Sequence, residues 1–295
     1  MKTSKLIEKW HSISTVKQSR RSVFELTDGL YWPKQLSPLV QRFDGWTSGE
    51  IELILLQNCY RFLQDSIQIE TDTVNAHLAR FVTGQTSLQF TIFEQAELLQ
   101  VVADEAYHAL NSLDLFAAIQ VHTKIAPLMR IPETGRSYAL NKLCQLVPKH
   151  LYDVFLFGII SIAENTITDE LLLITSQSDV NKNIHLFMVE HLKDEGRHSK
   201  LFERIFKEKL KNLNAIDCKV LLDLLTQFSF HMLSESVARD ADKILLESFI
   251  NDSERIDVIL NTVYPAKIEE DIFTNNTIGI RLTHFLERVF SDSLI

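Results

Sequence analysis

Two stretches of this sequence repeat one chemical pattern. Glu70 is followed, after 33 intervening residues, by Asp104-Glu105-Ala106-Tyr107-His108. Glu164 is followed, after 29, by Asp194-Glu195-Gly196-Arg197-His198. Each half reads Glu, a long gap, then Asp-Glu-x-x-His. On an α-helix each residue advances about 100°, so Glu and His three apart share a face. A lone Glu on each of two helices, with Glu-x-x-His on each of two others, is the inward-facing ligand set of di-iron carboxylate bundles. Here the lone glutamates are Glu70 and Glu164, and the paired sets are Glu105/His108 and Glu195/His198. Glu105 and Glu195 are the natural bridging carboxylates. Oxygen and imidazole donors without thiolate suit iron or manganese.

His191 adds a seventh candidate, four residues before Glu195 and seven before His198. The three fall within about 60° of each other around a helix. Four carboxylates carry a charge of −4, which two Fe(II) ions would cancel. Without metal they would repel one another and suffer desolvation in a bundle core. Glu164 makes the point sharply, because it follows Gly158-Ile159-Ile160-Ser161-Ile162-Ala163. A carboxylate on so apolar a helix needs a partner or a metal. Asp104 and Asp194 each precede a bridging-type Glu. Their expected role is to accept the free ring N–H of a ligand histidine and fix its tautomer.

Other residues do not fit the pattern. His77, His122, His150, His185, His231 and His284 lack acids at matching spacing and read as surface or satisfied core histidines. Tyr107 reads as structural, and Arg197 as a partner for an acid on a neighbouring helix. Phe155, Phe157, Phe187, Phe228 and Phe230 read mostly as core, with some lining any pocket beside the metals. Neither a Ser/His/Asp triad nor a phosphate-cradling Gly-rich loop is visible.

Long helices must position such a set. Thr47 and Ser48 ahead of Glu50 signal a helix start, and the apolar period then runs to about residue 82, before Gly84. Further runs cover about 89–123, 133–175 with a bend at Pro148, and 181–212. Helices also cover 215–249, 252–263 and 276–291, and residues 1–19 form a first helix. Residues 20–47, with Trp32-Pro33, Ser37-Pro38 and Asp44-Gly45, read as irregular. The expected fold is all-α, a ferritin-like four-helix bundle core with additional N- and C-terminal helices.

Composition agrees. With 8 Gly and 6 Pro in 295 residues, the chain lacks the turn residues that sheets consume. A hydrophobic share of 45% is ample for a large core. A net charge of −9 gives no electrostatic footprint for nucleic acid. Cys59, Cys144 and Cys218 form neither a disulfide framework nor a zinc site, which suits a reducing cytoplasm. Residues 1–21 lack the apolar run of a secretory signal. The most apolar stretch, Val154 to Ala163, is too short to span a bilayer and reads as a buried core helix.

The two Glu…Asp-Glu-x-x-His repeats and the extra histidine resemble the p-aminobenzoate N-oxygenase (AurF-type) family of non-haem di-iron N-oxygenases. Glu70, Glu105, His108, Glu164, His191, Glu195 and His198 match that family's seven ligands in order, over about residues 50–210. Other ferritin-like oxygenases share the six-ligand core and typically lack the third histidine. The expected organisation is a single di-iron oxygenase domain over residues 1–295, with the core bundle in about 48–212 and flanking helices in 1–47 and 213–295. The resemblance implies two iron ions, O2 as co-substrate, and oxidation of an amine to a hydroxylamine, nitroso or nitro product. The di-iron centre itself would be catalytic, and no separate protein acid or base is assigned. The resemblance also implies a homodimer and a natural-product pathway.

The substrate would be a small-molecule or carrier-bound amine. No flavin or nicotinamide fingerprint is present, so electrons are expected from a separate reductase. The expected partners include neither nucleic acid nor membrane. Two rival readings stay open: a di-iron hydroxylase or desaturase acting on carbon, and a non-enzymatic iron-binding or storage bundle. Against storage, the extra helices and the 20–47 segment look like pocket walls.

Overall fold

The computed structural model describes residues 10, 12–18, 24, 26–27, 29–129, 134–265 and 276–291. In chain order the described helices are α1 (Thr15–Gln18), α2 (Pro38–Arg42), α3 (Ser48–Gln68), α4 (Ala76–Val82), α5 (Ile92–Thr123), α6 (Gly135–Leu143), α7 (Tyr152–Thr175) and α8 (Lys182–Leu210). They continue with α9 (Ala215–Met232), α10 (Glu235–Glu247), α11 (Ser253–Val263) and α12 (Thr277–Phe290). The fold is all-α, and among the described residues the one β-type pairing is a bridge between Leu30 and Val180. Helices α3, α5, α7 and α8 form the ferritin-like bundle. Most of the expected first helix over 1–19 lies outside the described residues.

Sequence signals place the long helices well. At the start of α3, Thr47 Oγ1 accepts from the Glu50 amide at 3.3 Å while Glu50 Oε2 accepts from the Thr47 amide at 2.8 Å. Thr91 and Glu94 repeat this reciprocal cap on α5. Asn181 caps α8 by accepting from the amides of Asn183 and Ile184. These are orphan donors that a helix start must satisfy.

Three expected spans are corrected. The run from 133 to 175 is two helices, α6 and α7, because Pro148 cannot continue a helix and is followed by a tight 3-10 turn at Lys149–Leu151. The coverage of 215–249 breaks at Leu233 and Ser234, between α9 and α10. The run ending near residue 82 is not uniform either. Ile69–Asn75 is a π-helical segment inserted between α3 and α4. Such wider turns are uncommon and cluster at functional sites. The 20–47 segment contains a 3-10 turn at Lys34–Leu36 and the short helix α2.

Helix α7 with the turn before it, Lys149–Thr175, is long and apolar enough to cross a membrane by length alone. Within the protein 78% of its most apolar window is buried, as befits a central core helix. Side chains from α9 and α8 press on Gly158: a Cβ there would sit 2.8 Å from Leu225 Cδ1 and 3.0 Å from Phe206 Cζ.

The core explains where the site lies. One apolar cluster packs Leu98, Phe155, Phe157, Phe202 and Phe206 with residues of α9 and α12. A second packs Leu56, Leu63, Leu115, Leu171 and Met188. Helices α5, α7 and α8 each cross from one cluster to the other, and the crossing falls at Glu105 and His108, at Glu164, and at His191 to His198. On α3 the second cluster ends at Leu63, and the π segment carries Glu70. The seven candidate residues thus form a polar layer between two apolar ones.

Candidate metal centre

All seven are buried, none more than 3% exposed. Their ligating atoms gather into two groups that could each hold a metal ion: Glu70, His108 and His191, and Glu105, Glu164, Glu195 and His198. Within each group the atoms lie within 4.8 Å of one another. Two carboxylates link the groups. Glu195 Oε1 is 3.1 Å from both His108 Nδ1 and His191 Nε2, and 3.6 Å from His198 Nδ1. Glu105 lies 2.7 Å from His198 Nδ1 and 3.8 Å from His108 Nδ1. Glu70 Oε1 is 3.3 Å from His191 Nε2, and Glu164 Oε2 is 3.6 Å from His198 Nδ1.

Of these contacts, His191 Nε2 with Glu195 Oε1 is a hydrogen bond, while many of the other ligating atoms have none. Both carboxylate oxygens of Glu70, Glu105 Oε1, Glu164 Oε2, His108 Nδ1 and His198 Nδ1 are buried with no hydrogen-bond partner among the described residues. Orphaned buried polar atoms are rare in native proteins and demand an explanation. Here they converge on common points, as carboxylate and imidazole donors do around a divalent cation.

The charge states of the metal-free site carry the same message. Burial pushes the Glu70 carboxyl up to about 7. Burial, then the neighbouring charges of Glu105 and Glu195, raise Glu164 well above the usual carboxylate range. Burial would also raise Glu195, yet His198, His108 and His191 hold it well below that range. Burial opposes protonation of His108 and His198, but surrounding acids raise both well above an ordinary histidine. Burial and His108 oppose protonation of His191, and Glu195 and Glu70 raise it. Protons therefore stand in for missing positive charge.

The two aspartates meet the histidines crosswise. Asp104 on α5 accepts from His198 Nε2 on α8 at 3.2 Å. Asp194 on α8 accepts from His108 Nε2 on α5 at 3.2 Å. Burial would raise both acids, but the histidines lower Asp104 and Asp194 below their ordinary range. His191 differs, because its outer nitrogen, Nδ1, has no partner among the described residues. Its ring instead packs edge-on against Phe187 at 5.9 Å and beside the His108 ring at 4.2 Å.

Of the groups that hold these aspartates, sequence reasoning gave Arg197 as a partner for an acid on a neighbouring helix and missed Trp10, Ser14 and Thr15. Arg197 Nη2 donates to Asp104 at 3.1 Å and also to Asp194, tying the two together. Trp10 Nε1 donates to both Asp104 oxygens at 3.0 and 2.9 Å, and Ser14 Oγ to Oδ1 at 2.7 Å. The amide of Thr15 donates to Asp194 at 3.2 Å, and its hydroxyl contacts the same oxygen. Arg197 carried a signal, three residues after Asp194 and inside the motif. Trp10, Ser14 and Thr15 carried none, since they are about 90 residues or more from their partners.

The remaining histidines belong to neither group. His77 Nδ1 bonds Thr73 O in the preceding π segment, and His150 pairs with Asp217 at the surface. Phe155, Phe157 and Phe228 are core, Phe230 is half-buried, and Phe187 lies beside the site. Tyr107 is half-buried.

The profile of one protein family, P-aminobenzoate N-oxygenase AurF, matches residues 46–256. That span holds all seven residues and the whole four-helix bundle. No curated relative matches the chain.

Proposed function

The chain belongs to the p-aminobenzoate N-oxygenase family, and from that premise we propose that it is an O2-dependent di-iron enzyme that oxidises an amine nitrogen. The observation that carries the reading is the two adjoining buried groups built from Glu70, Glu105, His108, Glu164, His191, Glu195 and His198. Glu70, His108 and His191 would hold one iron, and Glu164 and His198 the other. Glu105 and Glu195 reach both groups and would bridge them. Two iron ions bound there supply the redox chemistry that O2 activation requires.

The chain's own residues do the rest. Four carboxylates balance the charge of two divalent ions. Asp104 and Asp194 hold the rings of His198 and His108 with Nδ1 facing the carboxylates, which fixes the tautomer. Arg197 offsets part of the aspartates' charge. The apolar clusters on either side keep bulk water away.

The product would be a hydroxylamine, nitroso or nitro compound, with electrons from a separate cytoplasmic reductase. A homodimer completes the reading, and exposed Leu99, Leu110 and Leu113 on α5 give it an apolar face. The test is to expose the iron(II)-loaded protein to O2 with a panel of amines and follow the products by mass spectrometry. Oxygen incorporated into nitrogen supports the reading. Oxygen incorporated only into carbon, or iron oxidised without any product, overturns it.

A further inference from the structure

A second concentration of charge lies away from the metal centre, between α3, α7, α10 and the residues around Trp32. It surrounds a cavity of about 360 Å³. That volume falls in the range of about 300–1,000 Å³ usual for small-molecule sites. None of the seven candidate metal ligands lines it. Its walls come partly from the bundle and partly from the added segments.

The wall chemistry is specific. Trp32 and Phe62 form one aromatic surface, with ring centroids 5.3 Å apart. Asp65, Glu170 and Asp242 supply three carboxylates, and Arg61 lines the same space. Asp242 is fully engaged: Arg61 Nη1 donates to it at 2.9 Å and the Tyr264 hydroxyl at 2.5 Å. Arg136, itself 7% exposed, donates to Asp65 Oδ2 at 2.7 Å. Its other terminal nitrogen stands 3.6 Å from Glu170, beyond hydrogen-bond distance.

One guanidinium thus serves two carboxylates, leaving one negative charge in surplus. Asp65 Oδ1 has no partner among the described residues. Glu170 keeps 31% of its side-chain surface accessible and lines the cavity. Burial raises its carboxyl above the usual range even with Arg136 beside it. Arg61, the arginine that lines the cavity, is held by Asp242, and Arg136 does not line it, so an anion would meet surplus negative charge. A cation would meet two acceptors and an aromatic face, the surroundings that favour an ammonium group.

We propose that this cavity binds a small organic cation, with its ammonium group on Glu170 and Asp65 and its apolar body against Trp32 and Phe62. The site is separate from the metal centre and independent of it.

Calorimetric titration of the full-length protein tests this, with three probes of one shape: 2-phenylethylamine, 2-phenylethanol and phenylacetate. At neutral pH the first is cationic, the second neutral and the third anionic. The amine should bind one per chain with the same Kd in chelator-stripped and iron-loaded protein. The alcohol and the acid should bind about tenfold or more weakly, since neither can form the charge-assisted ammonium–carboxylate contact. Glu170→Gln should weaken amine binding by a similar factor. Ala238→Phe, which fills the cavity from α10, should abolish it.

Absence of saturable amine binding overturns the proposal, as does equal binding of the alcohol. Undiminished binding in both variants, confirmed as folded by their melting temperatures, overturns it too. Amine binding that appears only with iron overturns this site while leaving N-oxygenation standing.

Discussion

His198 on α8 donates its Nε2 proton to Asp104 on α5 at 3.2 Å, and so turns Nδ1 toward Glu105, Glu164 and Glu195. The mirror contact joins His108 on α5 to Asp194 on α8. Each helix therefore supplies the aspartate that orients the other helix's histidine. The Asp-Glu-x-x-His motif works as a pair across the bundle rather than as two self-contained units.

Asp104→Asn tests that arrangement. The amide keeps the shape but loses the charge that fixes the His198 tautomer. Iron(II) affinity should fall by about 10–100-fold, the usual effect of losing such a partner. Competition against a chromogenic chelator measures it. An unchanged affinity would mean that Asp104 serves to anchor Trp10 and Ser14 rather than to orient His198.

Metal content gives a second prediction. The two groups call for about two iron ions per chain, as in other bundles with this ligand set. Elemental analysis after anaerobic loading checks the number. Iron should also raise the melting temperature of the wild type. In Glu164→Ala the rise should be smaller, while the metal-free variant stays folded, because one buried carboxylate repelled by Glu105 and Glu195 has gone. Equal rises in both proteins would place the iron elsewhere.

How much of this site is legible in the sequence depends on the range of each contact. Glu105 with His108, and His191 with Glu195 and His198, are separated by one or two turns of one helix, so helical geometry alone puts them on one face. The caps at Thr47, Thr91 and Asn181 are local in the same way. The crossed Asp–His pairs, Arg197 spanning two aspartates, and Trp10 over Asp104 depend on how distant segments pack. The π segment that carries Glu70 leaves no mark in the apolar period, because it is a small change of hydrogen-bond register. The break between α6 and α7 was marked by Pro148, and reading it as a bend underestimated the proline. No proline marks the break at Leu233 and Ser234.

That same break suggests a packing prediction. Gly135, the first residue of α6, abuts the last residue of α9: a Cβ there would lie 2.1 Å from the Met232 carbonyl oxygen. The obstacle is backbone, which cannot swing aside as a side chain would. Gly135→Ala should destabilise the protein by about 1–3 kcal/mol, the usual penalty for overpacking. Urea unfolding of the variant checks this, and an unchanged midpoint would show that α6 can shift freely.

Stability of the metal-free protein should depend on pH in a direction set by Glu70. Its carboxyl rises from 4.5 to about 7 on folding, chiefly through burial. A raised folded value means that the contribution is fully present below about pH 4.5 and is lost as pH climbs through 7. The whole shift corresponds to about 3 kcal/mol. Chelator-stripped wild type should lose stability as pH rises from 4.5 to about 7, the interval in which the folded protein holds a proton that the unfolded chain has released, and Glu70→Gln should lose less. Parallel pH profiles from urea unfolding would show that Glu70 is not the group responsible.

The last prediction concerns His191, the seventh member of the proposed ligand set and the one that lies outside the two Glu…Asp-Glu-x-x-His repeats. It has no aspartate behind it, and among the described residues its Nδ1 is unpartnered. It shares its metal group with Glu70 and His108, so its removal leaves that group two residues plus the carboxylates reaching across from Glu105 and Glu195. As a neutral donor it adds nothing to the charge balance of four carboxylates and two divalent ions. His191→Ala should therefore retain most of its iron, with the melting temperature still raised by loading. What should change is the chemistry that depends on the third nitrogen. The absorption that follows mixing of the iron(II) protein with O2 should differ in position or lifetime, and amine oxidation should drop by at least about tenfold. Stopped-flow spectra and product analysis on one preparation measure both. If iron content, spectra and turnover all matched the wild type, His191 would be only a packing partner for Phe187, and nitrogen oxidation would lose its most specific structural support.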